Sequence, residues 1–85
     1  MEKSIHSTGY AVFLTVLKKA REDAGLTQTQ LAQKIGETQT FISKCERGER
    51  RVDVVELRTF CHAFGLSLRQ FVSMLERGFS KAKRS

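Results

Sequence analysis

The chain has 85 residues, enough for one domain with a single modest core and too few for a core plus an enzyme cleft of ordinary size. Its 40% hydrophobic and 28% charged residues are the composition of an ordered domain and exclude wholesale disorder. Fifteen Lys and Arg against nine Asp and Glu leave a formal charge of +6, which favours a polyanionic partner, because basic side chains displace condensed counterions from phosphates.

The chain contains no proline, and its six glycines fall mainly where helices would end, so an all-α fold is predicted. Phe13, Leu17, Ala20 and Ala24 recur at three- and four-residue steps between Tyr10 and Ala24, marking one face of a helix that Thr8 caps and Gly25 ends. Thr27 offers an N-cap oxygen to a second helix over Gln28–Ile35, whose inward face is Leu31, Ala32 and Ile35, with Gly36 breaking it. Thr38 caps a third, Gln39–Glu46, with Ile42 and Cys45 turned inward and Gly48 as its left-handed stop.

A fourth helix opens at Asp53, with Val54, Leu57, Phe60, Cys61 and Phe64 as its buried positions and Gly65 as its end. Ser67 and Gln70 have capping-box spacing and open a fifth. Leu68, Phe71, Val72 and Leu75 give that helix apolar surface up to Gly78, where it is predicted to stop. The domain is thus bounded at 10–78, between an N-terminal arm, 1–9, and a basic tail, 79–85.

Within this series, Gly25 to Arg51 reads GLTQTQLAQKIGETQTFISKCERGERR, two short capped helices joined by a turn that contains glycine. Helices this short cross closely only over a small residue, and Ala32 is placed to be that residue. This is the helix-turn-helix arrangement.

The segment resembles the helix-turn-helix of the lambda-repressor/Cro-like, or xenobiotic-response-element (XRE), regulator family. Arg21, the GLTQ of Gly25 to Gln28, the LAQKIG of Leu31 to Gly36, the ISK of Ile42 to Lys44, and Glu46-Arg47-Gly48 match its pattern in register. The resemblance covers about residues 10–76. Phe41 stands where the family more often has a small polar residue, and Val52 where a proline is frequent.

The resemblance implies a compact five-helix lambda-repressor-like domain that docks the start of its third helix in the major groove of double-stranded DNA. It places Gln39, Thr40, Phe41, Ser43 and Lys44 at base edges: Gln39 bidentate on adenine, Lys44 on guanine, and Thr40 or Phe41 on a thymine methyl. Gln28 would hold a phosphate and brace Gln39. Thr27, Thr38, Arg47, Arg50 and Arg51 would supply further phosphate contacts. An ion pair between Arg21 and Glu46 would orient the helices rather than touch DNA.

The expected function is that of a cytoplasmic transcriptional regulator, a repressor that binds a pseudo-palindromic operator as a homodimer. Its partner-facing patch lies near helix five, at Phe71, Met74, Leu75 and Phe79. The alternative is an antitoxin that neutralises a protein partner and autoregulates. No paired carboxylates, nucleophile–base set or phosphate-cradling glycine loop points to an enzyme, and no cofactor is expected.

Cys45 and Cys61 lie in no CxxC or Cys/His cluster of ligand spacing, so no metal is expected, and they read as small core hydrophobes in a reducing compartment. No basic neighbour is evident that would turn either into a redox sensor. His6 and His62 read as surface residues. The first residues, MEKSIHST, lack an apolar signal core, and no apolar run approaches the ~18 residues of a membrane span.

Overall fold

The computed structural model describes residues 8–84, with side chains to Ala82, so His6 and most of the arm lie outside the described residues. Helices α1 (Thr8–Asp23), α2 (Gln28–Ile35), α3 (Gln39–Glu46), α4 (Val54–Phe64) and α5 (Leu68–Arg84) follow one another through short turns. None is long and apolar enough to cross a membrane.

The helix starts are built from side chains. Thr27 Oγ1 accepts from the Gln30 N–H at 3.1 Å, and Gln30 Oε1 accepts from the Thr27 N–H at 2.9 Å. Asp53 with Glu56, and Ser67 with Gln70, repeat this reciprocal box. Thr38 caps α3 singly, accepting from the Phe41 N–H at 3.1 Å. At the end of α2, Gly36 sits at φ 75°, and the next residue, Glu37, returns its N–H to the Ala32 carbonyl at 2.9 Å. That left-handed step turns the chain within three residues from α2 into α3.

Leu17, Ala20, Leu31, Ala32, Ile42, Cys45, Leu57, Phe60, Cys61, Phe64 and Phe71 form one buried core drawn from all five helices. Ala32, 2% exposed, is the small residue that lets α2 and α3 cross. Phe13 meets Phe71 edge-on at 6.0 Å, joining α1 to α5.

Several expectations are corrected. Val54 is 63% exposed: it has the right helical phase, but as the first residue of α4 it lies beyond the end of the core. Ala24 is likewise exposed, in the turn after α1, and Thr8 is the first residue of α1 rather than a cap outside it. Phe71 is fully buried, so it belongs to the core and is removed from the partner-facing patch.

The largest difference is at Gly78, which does not end α5; the helix runs on to Arg84. A Cβ at Gly78 would lie 3.1 Å from Val12 Cγ1 and 3.1 Å from Val16 Cγ2. The glycine is therefore the place where α5 closes onto α1, and its lack of a side chain serves packing instead of a turn.

Candidate nucleic-acid interface

Arg21, in the last turn of α1, and Glu46, in the last turn of α3, form a buried ion pair. Nε meets Oε2 at 2.7 Å and Nη2 meets Oε1 at 3.2 Å, with side chains 8% and 5% exposed. Arg21 Nη1 also donates to the Leu26 carbonyl at 2.7 Å, so the fork ties the α1–α2 turn to α3. Its other hydrogen bonds satisfy the charges that burial would otherwise strand.

Glu46 Oε1 accepts a further hydrogen bond, from Gln28 Nε2 at 2.9 Å. An ionised carboxylate only accepts, so Gln28 must present its NH2 to Glu46 and its oxygen the other way. There Gln28 Oε1 accepts from Gln39 Nε2 at 2.6 Å. Gln39 is held at the first turn of α3 with one amide hydrogen used. Its Oε1 and its second N–H remain, the acceptor and donor that match adenine N6 and N7.

Gln39, Thr40 and Lys44 are exposed on α3, and Ser43 is half-buried beside them. Thr27 and Thr38 use their oxygens to cap α2 and α3, which leaves their O–H groups to donate outward. Phe41 is placed differently: its ring stands edge-on to Phe60 at 6.3 Å and carries the Arg50 guanidinium 4.7 Å above its centroid. It packs, half-buried, between α4 and that arginine.

The arginines after α3 are engaged in ways the sequence did not disclose. Arg50 meets Glu56 end-on through both terminal nitrogens, Nη1 to Oε1 at 2.9 Å and Nη2 to Oε2 at 2.8 Å, and Nη1 also donates to the Arg51 carbonyl at 3.0 Å. Bound in this way it braces Phe41 and the loop. Arg51 lies 4.4 Å above the Tyr10 ring, and the Tyr10 hydroxyl accepts from the Val52 N–H at 3.1 Å. The start of α1 thus holds the loop where a proline would stiffen it.

Arg47 pairs with Glu49, Nε to Oε2 at 2.8 Å and Nη2 to Oε1 at 3.1 Å, and directs Nη1 at Ser43 Oγ. Arg47 holds the Glu49 carboxyl below its usual range, chiefly by this hydrogen bonding. Among the described residues, Lys44 and Arg51 form no salt bridge with a carboxylate.

Cys45 does have a basic neighbour, Arg50, contrary to expectation. Burial nevertheless outweighs the arginine and raises the thiol above its ordinary value. Burial alone pushes Cys61 up to about 11. Both thiols are fully buried and stay protonated at neutral pH. No group of three or more metal-ligating side chains occurs among the described residues.

Two capped eight-residue helices crossing over Ala32, with a polar row on the outer side of the second, define a helix-turn-helix DNA-binding domain. A helix-turn-helix family model matches residues 17–71. An XRE-family-like protein from Pseudomonas syringae pv. tomato str. DC3000 is similar at 42% identity and TM-score 0.77, covering 87% of this chain and 90% of its own. The restriction-modification controller protein C.Esp1396I is similar at 30% identity and TM-score 0.82, covering 89% and 99%. The clp gene regulator ClgR from Corynebacterium glutamicum, at 24% identity and TM-score 0.76 over 92% and 84%, shares the fold. No curated protein matches the chain. The chain belongs to the XRE-type helix-turn-helix family and is a DNA-binding transcription regulator, not an enzyme.

Proposed function

We propose that the protein is a sequence-specific repressor that occupies promoter DNA as a homodimer on a pseudo-palindrome, with half-sites about one helical turn apart. The observation that carries this is the hydrogen-bond relay from Arg21 through Glu46 and Gln28 to Gln39. It leaves the first side chain of α3 with a fixed acceptor and donor pointing outward. Gln39 reads adenine, Lys44 reads guanine, and Thr40 and Ser43 complete the base-edge row. Thr27, Gln28, Thr38 and Arg51 hold phosphates.

A single α3 touches too few bases for useful specificity, so a second copy is required. Leu68, Val72, Leu75 and Phe79 form a stripe on α5 at alternating four- and three-residue steps. Val72 and Phe79 are large apolar side chains left 43% and 37% exposed. Leu68, Val72, Leu75 and Phe79 offer the partner-facing patch, whereas Met74 lies on the other flank of α5, toward Val12 and Val16 of α1.

Titration of duplex DNA from upstream of the protein's own gene, with sedimentation of the free chain, tests the proposal. Dimers that bind this DNA far more tightly than unrelated duplex support it. A free monomer, or equal affinity for all duplexes, contradicts it.

A further inference from the structure

We propose that Glu49 limits the strength of DNA binding by holding Arg47 in a neutral pair, so that Arg47 positions Ser43 instead of clamping a phosphate. This rests on the reading that α3 enters the major groove.

Arg47 follows α3 directly and, by position and charge, is an obvious phosphate contact. Its Nε–Nη2 edge suits a bidentate anion, and Glu49 occupies that edge with both carboxylate oxygens, which also takes Nη2 from the end-on pair Nη1–Nη2. The remaining terminal nitrogen, Nη1, is turned to Ser43 Oγ. A serine oxygen that accepts from arginine keeps its own O–H to donate, so Ser43 is set to meet an acceptor on a base or a phosphate.

The placement of Glu49 has no other structural account. Glu56, the carboxylate that binds Arg50, also closes the cap of α4 through the Asp53 N–H. The Glu49 N–H closes the end of α3 on the Lys44 carbonyl at 2.9 Å, as any residue there could, but its carboxylate has no second role among the hydrogen bonds of the described residues. Both members of the Arg47–Glu49 pair are 53% exposed, so it adds little to the fold. A carboxylate near the C-terminal end of a helix meets the unfavourable end of the helix dipole, and near DNA it meets phosphates. What it does accomplish is to cancel the Arg47 charge, and a neutral pair releases no counterion on binding.

The test compares Glu49→Gln, Arg47→Gln, the double variant, and Glu37→Gln as a charge-matched control on the turn between α2 and α3. Each is titrated with duplex DNA over a range of salt. Glu49→Gln is expected to bind about two- to fivefold more tightly, the size of a surface ion pair, with a salt slope steeper by about 0.9. The gain is expected to vanish in the Arg47→Gln background, and Arg47→Gln alone to leave the salt slope unchanged.

Equal gains from Glu49→Gln and Glu37→Gln, or a gain that survives without Arg47, would overturn the proposal in favour of charge acting at a distance. A slope flattened by about one in Arg47→Gln would overturn it by showing Arg47 on a phosphate already. Failure of the wild-type chain to bind any duplex at low salt removes the DNA-binding premise itself, and is seen before any variant is compared.

Discussion

Gln39 donates its Nε2 to Gln28 Oε1 at 2.6 Å, and the direction of that hydrogen bond is set from outside the pair. Glu46 takes the Gln28 NH2, so the Gln28 oxygen is what remains for Gln39. The buried Arg21–Glu46 pair thereby determines which amide atoms of Gln39 remain unused at the start of α3, although neither of its members is exposed.

Gln28→Leu is predicted to break this order. A leucine side chain offers no N–H to Glu46 and no acceptor to Gln39, so nothing fixes the Gln39 amide in one orientation. Discrimination at the base under Gln39 should fall by about 1 kcal/mol, part of the 1–3 kcal/mol that a bidentate contact confers. Competition between duplexes that differ at that base pair measures it. Undiminished discrimination would separate Gln28 from base reading.

Glu46→Gln is predicted to destabilise the domain by about 3–5 kcal/mol, because it leaves Arg21 buried without its counter-charge. The double variant Arg21→Met/Glu46→Leu should unfold closer to wild type than Glu46→Gln does, since an apolar pair strands no charge. It should still lose base discrimination, because Gln28 has lost its orienting partner. Urea unfolding and DNA competition on the same preparations separate the two effects.

Gly78→Leu is predicted to cost about 1–3 kcal/mol by overpacking the contact with Val12 and Val16, whose branched side chains have little rotamer freedom. Gly78→Ala should stay within about 1 kcal/mol of wild type, because the gain in helix propensity offsets the tight Cβ contacts. Thermal melting compares them. A Leu variant as stable as wild type would show that α5 does not need this approach.

Gly78 also marks the limit of what the sequence discloses. Caps and stops act over three or four residues, so Thr27, Thr38, Asp53, Ser67 and Gly36 are legible locally. Arg21 and Glu46, 25 residues apart, emerge from the family resemblance alone. A glycine inside a helix looks the same as one at its end, and only the approach of α1 tells them apart. In the same way, nothing near Arg50 announces Glu56 or Phe41 as its partners. Charge suggests phosphate, whereas the tertiary fold supplies a carboxylate and a ring. Ser43 and Lys44 are legible as residues of the outer row, but the Arg47–Glu49 pair set against Ser43 is not.

Stability should fall in alkali through Cys61. Its folded pKa, about 11, lies above the ordinary thiol value of 9.0, so the unfolded chain ionises first. The contribution is complete below pH 9 and is lost as pH rises toward 11, on the order of 2–3 kcal/mol in all. Urea unfolding at intervals from pH 8 to pH 11 should show the decline, and Cys61→Ala, though less stable throughout, should show a shallower one. Parallel declines in the two proteins would assign the loss to other groups.

Reading of sequence by α3 through Gln39 is tested by selecting bound duplexes from a randomised pool with the wild-type chain and with Gln39→Ala. The wild-type chain is expected to select a two-fold symmetric motif with an adenine in each half-site, and the variant to lose that one preference and retain the rest. An identical motif from both proteins would contradict it.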